Sequence, residues 1–207
     1  MYLASQSPRR RQLLEEAGFS LTVVPAGIDE TRRDDETPTH LVERLACQKA
    51  EATRASLEGT AAEGVLLAAD TIVWTEDGDV LGKPEDESAA RAMLHELSGR
   101  THHVSTGVCL MQLGPAAAAR GRRSFVETTR VSFFALTDEQ IDAYVASGEP
   151  MDKAGAYGIQ GRGRILVSGI EGDWANVVGL PIARVVRELE ALLGTQGLVA
   201  RCLGTAG

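Results

Sequence analysis

One stretch constrains this chain more than any other: Val65-Leu66-Leu67-Ala68-Ala69-Asp70-Thr71-Ile72-Val73-Trp74. Its β-branched content, nearly unbroken apolar character and preceding Gly64 predict a buried strand rather than a helix. In its middle stands one carboxylate, Asp70. An ionised Asp with no partner is costly to desolvate. The strand must therefore bring Asp70 to a cation, to a cluster of hydrogen-bond donors, or to a strand end that faces a cleft. An Asp that merely caps its neighbours' N–H groups meets the same requirement, so the strand alone does not separate a structural role from a chemical one.

The 207 residues, 43% of them hydrophobic, suit one compact α/β domain or two closely joined lobes. No apolar run is long enough for a membrane span, and Met1 leads almost directly into strand-like residues without a signal-peptide pattern. Cys47, Cys109 and Cys202 are far apart and lack metal-ligand spacing, which suits free thiols in a reducing cytoplasm. A net charge of −8 argues against general nucleic-acid binding. A polyanion would have to bind at a small basic site.

Such a site is offered near the start. Ser7 is a suitable N-cap, Pro8 fits the first helical position, and Leu13, Leu14 and Ala17 form an apolar stripe ended by Gly18. Arg9, Arg10 and Arg11 occupy the first turn, where cations oppose the helix dipole. Guanidinium groups gathered beside free backbone N–H groups suit a bound phosphate, with Arg11 the bystander. Leu21 to Pro25 read as a strand, and Gly27 to Thr31 as a turn carrying Asp29 and Glu30. Thr37-Pro38 open a long helix with Lys49 at its apolar edge, where a lysine in isolation reads as a snorkelling surface residue.

After the Asp70 strand, Glu76-Asp77-Gly78-Asp79 predicts a hairpin returning through Val80-Leu81 to Gly82-Lys83-Pro84. Asp86 caps a helix ending at Gly99, and Thr101 to Leu113 is strand-like. Gly114 to Gly121 reads as a variable surface loop without chemistry, followed by a strand over Ser124 to Phe134. Thr137-Asp138-Glu139-Gln140 has the form of a capping box. Between Asp152 and Gly163, four glycines fall in nine positions, with Tyr157 and Ile159 among them, which predicts a packed loop that turns tightly or approaches something closely. Ile165 to Ile170 is strand-like, Pro181 opens a last amphipathic helix through Leu193, and the residues beyond Gly194 are expected to fray.

Familiar sites are excluded by spacing. Gly78 to Lys83 is one residue short of a P-loop, and Pro84 stands where Ser or Thr belongs. Gly161-Arg162-Gly163 lacks the third glycine of a dinucleotide fingerprint, His95-Glu96 lacks a second His, and no Gly-x-Ser-x-Gly elbow exists. Carboxylates (Glu30, Asp70), lysines (Lys49, Lys83) and an arginine-rich helix start remain. That set suits metal-assisted attack of water on a phosphate chain.

Leu3-Ala4-Ser5-Gln6-Ser7-Pro8-Arg9-Arg10, Ala69-Asp70-Thr71-Ile72-Val73, Leu81-Gly82-Lys83-Pro84, Leu97-Ser98-Gly99, Glu149-Pro150-x-Asp152-Lys153-Ala154-Gly155-Ala156-Tyr157-Gly158-Ile159-Gln160-Gly161 and Asn176-Val177-Val178-Gly179-Leu180-Pro181 together resemble the Maf family of nucleoside triphosphate pyrophosphatases. The resemblance runs in order from Leu3 to about Leu193. It implies a mixed α/β fold, related to that of inosine triphosphatase, with a twisted sheet, flanking helices and two lobes around a central cleft. A single domain over residues 1–194 and a disordered tail over 195–207 are expected. Carried over position by position, Asp70 matches the family's proton acceptor, with Lys83 and Glu30 beside it in the catalytic set. Arg9, Thr71 and Gln160 match positions tied to substrate choice, and Ser7, Arg10 and Lys49 match further polar positions of the cleft. A divalent metal, Mg²⁺ or Mn²⁺, is implied, with Asp70 and Glu30 as its expected ligands.

Ser-Pro-Arg-Arg early and Gly-Ile-Gln-Gly late resemble the branch acting on dTTP and UTP. The implied activity is hydrolysis of these, or of modified pyrimidine nucleotides, to the monophosphate and pyrophosphate, a housecleaning role in the nucleotide pool. A cytoplasmic homodimer with no nucleic-acid or membrane partner is expected. Trp174 departs from the Tyr common at that position in the family. The alternative from another class is a nucleotide-binding regulator of cell division and septum formation with little hydrolysis.

Overall fold

A computed structural model describes residues 1–204. Of the tail expected over residues 195–207, residues 205–207 lie outside the described residues. Among the described residues the chain forms a mixed α/β structure around a seven-stranded sheet, ordered β2-β1-β3-β5-β6-β7 with β4 paired to β3. The strands are β1 (Tyr2–Leu3), β2 (Thr22–Val23), β3 (Gly64–Thr75), β4 (Val80–Leu81), β5 (Thr101–Leu113), β6 (Ala119–Phe133) and β7 (Val167–Glu171). The helices are α1 (Pro8–Glu16), α2 (Pro38–Ser56), α3 (Glu87–Leu97), α4 (Asp138–Val145), α5 (Trp174–Val178), α6 (Ile182–Leu193) and α7 (Leu198–Cys202).

The chain divides into two compact units. The first holds residues 1–70, 106–126 and 179–204; the second holds residues 71–105 and 127–178. In the first, β1 runs parallel to both β2 and β3, with Leu3 opposite Leu67. Ala4, Ala46, Ala50, Leu66, Ala68, Cys109, Met111 and Leu113 form an apolar cluster between strands and α2. Small side chains let the helix lie close. At Gly107 an added Cβ would run into the Val42 carbonyl of α2, so only glycine allows that approach.

The second unit carries the hairpin read from Glu76 to Asp79. Thr75 N–H donates to the Asp79 carbonyl (3.0 Å), and Val73 faces Leu81 across an antiparallel pair. Its core gathers Leu94, Leu97, Val131, Phe133, Ile141 and Tyr157. His102 is fully buried there, 2.8 Å from the Tyr157 hydroxyl, while His103 stacks on Trp74 at 4.1 Å. The two histidines thus have different partners, as alternation along a strand requires.

Helix starts follow the expected chemistry. Ser7, Thr37, Asp86 and Thr137 each cap a helix through the side chain, Thr137 in a full capping box with Gln140. Three expectations need correction. The loop read over Gly114 to Gly121 is a tight turn over Pro115–Ala117, and β6 begins at Ala119 rather than Ser124. Ala117 is buried, with its N–H on the Ala62 carbonyl, so this alanine acts as a small residue in a packed turn. The strand read from Ile165 starts at Val167, because residues 162–166 are held in 3₁₀ turns. Beyond Gly194, α7 forms a short helix, and the Glu190 carboxylate accepts from the Leu198 and Val199 N–H groups.

Candidate active site

In the first unit, β3 delivers Asp70 with 8% of its surface exposed, and α2 delivers the cation it requires. Lys49 Nζ donates to Asp70 Oδ1 at 2.6 Å and lies 2.8 Å from Glu30 Oε1. The Lys49 and Asp70 side chains are 13% and 11% exposed, whereas that of Glu30 is 58% exposed. The ammonium therefore bridges a buried and a solvated carboxylate. Lys49 is not a snorkelling surface lysine: its charge is drawn inward because desolvating Asp70 alone would cost more.

Helix α1 contributes its N-terminus. Ser7 Oγ accepts from the Arg10 N–H (3.4 Å), and Ser7 N–H donates to Ser5 Oγ (3.2 Å). Arg10 Nε donates to the Gly179 carbonyl (2.9 Å) and Nη1 to Ser5 Oγ (3.1 Å), clasping the segment after β1 to the start of the Gly179-Leu180-Pro181 run. Burial lowers the pKa of the Arg10 guanidinium and is opposed by the field of Asp70; Arg9 lowers it further, and Glu30 opposes. Arg10, Arg9, Asp70 and Glu30 thus share one electrostatic neighbourhood. Arg11 instead pairs with Glu15 at 2.7 Å on the exposed face, the bystander its position suggested.

Sequence reasoning missed what holds Glu30. Arg44, five residues before Lys49 on α2, grips Glu36 in a two-pronged ion pair (2.6 and 2.7 Å) and donates to the Thr31 carbonyl (3.1 Å) and Gln48 (2.9 Å). Thr31 N–H donates to Asp29 Oδ1, and Arg32 donates twice to the Glu36 carbonyl. The loop carrying Glu30 is thereby folded around one guanidinium. The Arg44 hydrogen bonds hold the Glu36 carboxyl well below its ordinary range, at about 2. No motif flags the pair, because the eight-residue separation crosses a loop and a helix cap.

In the second unit, Thr71 follows Asp70 on β3, and Lys83 lies exposed in the segment after β4. The Gly155 N–H donates to the Gly82 carbonyl (3.0 Å), joining the Lys83 segment to the glycine-rich stretch that carries Gln160. Gln160 is exposed between buried Ile159 and half-buried Gly161. The packed loop expected there is present: added Cβ atoms at Gly158 and Gly163 would come within 2.5 Å of Lys153 Cε and Tyr144 Oη.

Among the described residues no three His, Cys, Asp or Glu side chains converge as a metal cage. Asp70 and Glu30 each present one oxygen to Lys49, and one or two carboxylates is the number that Mg²⁺ commonly takes, water and phosphate oxygens completing its shell. No helix among the described residues is long and apolar enough to cross a membrane.

Comparison with known proteins bears on the family of the chain. Residues 1–192 match the family model described as Maf-like protein. A protein of Moorella thermoacetica named dTTP/UTP pyrophosphatase is 51% identical over 94% of this chain and 95% of its own. One of Bacillus cytotoxicus with the same name is 50% identical over 91% of this chain and 93% of its own. The solved Ham1 protein of Staphylococcus aureus is 16% identical, covering 64% of this chain and 70% of that one at a TM-score of 0.40. With a match that spans nearly the whole chain and relatives at half identity, the chain belongs to the Maf-like protein family.

Proposed function

We propose that this protein hydrolyses UTP and dTTP, together with modified pyrimidine nucleotides of that shape, to the monophosphate and pyrophosphate. The observation that carries the chemistry is the convergence of the buried Asp70 and the exposed Glu30 on Lys49, in the electrostatic neighbourhood of Arg10 at a capped helix N-terminus. The substrate comes from relatives at about half identity that bear the dTTP/UTP name.

In this reading the start of α1 and Arg10 hold phosphate oxygens, with Ser7 fixing the first turn. Asp70 orients a water towards the α-phosphorus and takes its proton, and pyrophosphate leaves. Lys49 holds the Asp70 carboxylate in place through its 2.6 Å hydrogen bond. Lys83 neutralises phosphate charge, while Arg9, Thr71 and Gln160 select the base. Asp70 and Glu30 are the residues that would hold Mg²⁺ or Mn²⁺, which when bound supplies charge neutralisation on the phosphate chain. A cytoplasmic homodimer without nucleic-acid or membrane partners belongs to the same reading. Of Arg120, Arg122 and Arg123, the basic residues that would support a nucleic-acid partner, Arg123 is paired with Glu188 at 2.7 Å.

Incubating the purified protein with Mg²⁺ and each nucleoside triphosphate in ¹⁸O-labelled water tests this. Pyrophosphate release from UTP and dTTP, with label in the monophosphate, is expected. Label in pyrophosphate contradicts attack at the α-phosphorus, and UTP binding without cleavage favours the regulator of cell division.

A further inference from the structure

Glu149 follows Gly148 after α4, and in the sequence it is the first residue of the run to Gly161 that resembles the Maf family. In the structure its carboxylate is a hub. Oε1 accepts from the Tyr144 hydroxyl (3.0 Å) and the Gly163 N–H (3.1 Å), and Oε2 accepts from the Arg162 N–H (2.9 Å). The same Tyr144 hydroxyl accepts from the Gly158 N–H at 3.1 Å. Both ends of the segment 158–163 are therefore tied to one carboxylate and the phenol it holds. Lys153 Nζ donates to the Glu149 carbonyl (2.7 Å), fixing the backbone beneath.

The space around the carboxylate is as restrictive as its bonds. A Cβ at Gly161 would overlap both Glu149 oxygens, and one at Gly163 would meet the Tyr144 hydroxyl at 2.5 Å. These glycines serve close approach to Glu149. Burial pushes the Glu149 pKa upward, but the N–H groups of Arg162 and Gly163, the Tyr144 hydroxyl and the Lys153 charge outweigh it and keep the group ionised. A carboxylate held by three donors is an acceptor at every position, which an amide or a shorter chain does not reproduce.

Between the tethered ends stands Gln160, exposed, with Ile159 buried beside it. We propose that Glu149 is the positioning residue for Gln160, so that it sets the preference for pyrimidine triphosphates without touching substrate. The proposal rests on the substrate reading above. A base-reading amide discriminates only when its hydrogen bonds are held in place; on a loosened loop it re-forms them with the wrong base.

The test is the ratio of kcat/KM for UTP to that for GTP, which does not depend on the fraction of protein folded. Glu149→Gln should lower this ratio at least tenfold, and Tyr144→Phe, which removes one tether, should lower it less. Gln160→Ala should lower it comparably, and adding Glu149→Gln to Gln160→Ala should change it no further, since coupled residues are not additive. A ratio within twofold of wild type in Glu149→Gln, or independent effects in the double variant, overturns the proposal; if Glu149→Gln does not fold, Tyr144→Phe with Gln160→Ala decides in the same way. Wild-type protein with no preference for UTP brings down the substrate reading and the proposal together, whereas a preference kept by Glu149→Gln brings down the proposal alone.

Discussion

Replacing Asp70 by Asn keeps the shape of the side chain and removes its charge, and the Lys49 geometry sets what should follow. At 2.6 Å and an effective dielectric of about 20, the gross Coulomb attraction lost is about 6 kcal/mol. Most of this is cancelled, because the folded protein no longer desolvates the carboxylate. Leaving a buried charge with no partner costs about 3–5 kcal/mol, but Lys49 keeps Glu30 at 2.8 Å, a 58% exposed partner of the kind worth about 0–1 kcal/mol. The net loss should fall near 1–2 kcal/mol, or roughly 2–8 °C in Tm for a chain of this size. On sequence alone Asp70 is simply a costly buried carboxylate, whose loss should leave stability level or higher; its pairing with Lys49 reverses that sign. Removing the stranded ammonium as well, in Asp70→Asn with Lys49→Met, should recover most of the Tm. Turnover should not recover. Loss of a general base typically costs about 10²–10⁴-fold, and both variants should show it. Thermal melts and UTP turnover on the same preparations check both parts. An Asp70→Asn protein that cleaves UTP within tenfold of wild type, after correction for folded fraction, would refute the assignment of Asp70 as the base.

Two further outcomes follow from the scaffold. The folded-state pKa of Glu36, about 2, lies below its ordinary 4.5, so its pairing with Arg44 stabilises the protein above pH 4.5 and the stabilisation is lost as pH falls towards 2. Glu36→Gln should therefore lower Tm at pH 7, and the gap from wild type should close between pH 4.5 and 2; a gap independent of pH would contradict this. Gly107→Ala sets a methyl against the Val42 carbonyl, which as backbone cannot move aside, and should cost about 1–3 kcal/mol in denaturant titration.

Much of this was legible from residues. Strand β3 was visible because ten residues carry only one charge, and four helices were visible at their start because Ser7, Thr37, Asp86 and Thr137 are the side chains that cap. The candidate residues were legible through resemblance rather than pattern: by itself Lys49 looks like any lysine at the edge of an apolar stripe. Its ion pair joins residues 21 apart in sequence, and only folding states such a distance. Glu36, Arg44 and Glu149 were opaque for the same reason. Each acts by gathering backbone groups from a loop, and loops carry no periodicity from which their partners can be read.

Helix α2 faces two ways at once. Leu41, Val42, Leu45, Ala46 and Ala50 are buried, while Arg44 holds the Glu30 loop and Lys49 reaches Asp70. One residue inserted after Ala46 would turn everything beyond it by about 100°. Lys49 would swing off Asp70 while Ala50 and Thr53 left the interior, so a single frame-preserving codon would undo packing and charge placement together. Natural length variation should therefore avoid this helix, whereas its exposed positions such as Glu51 and Ser56 stay free to drift in identity.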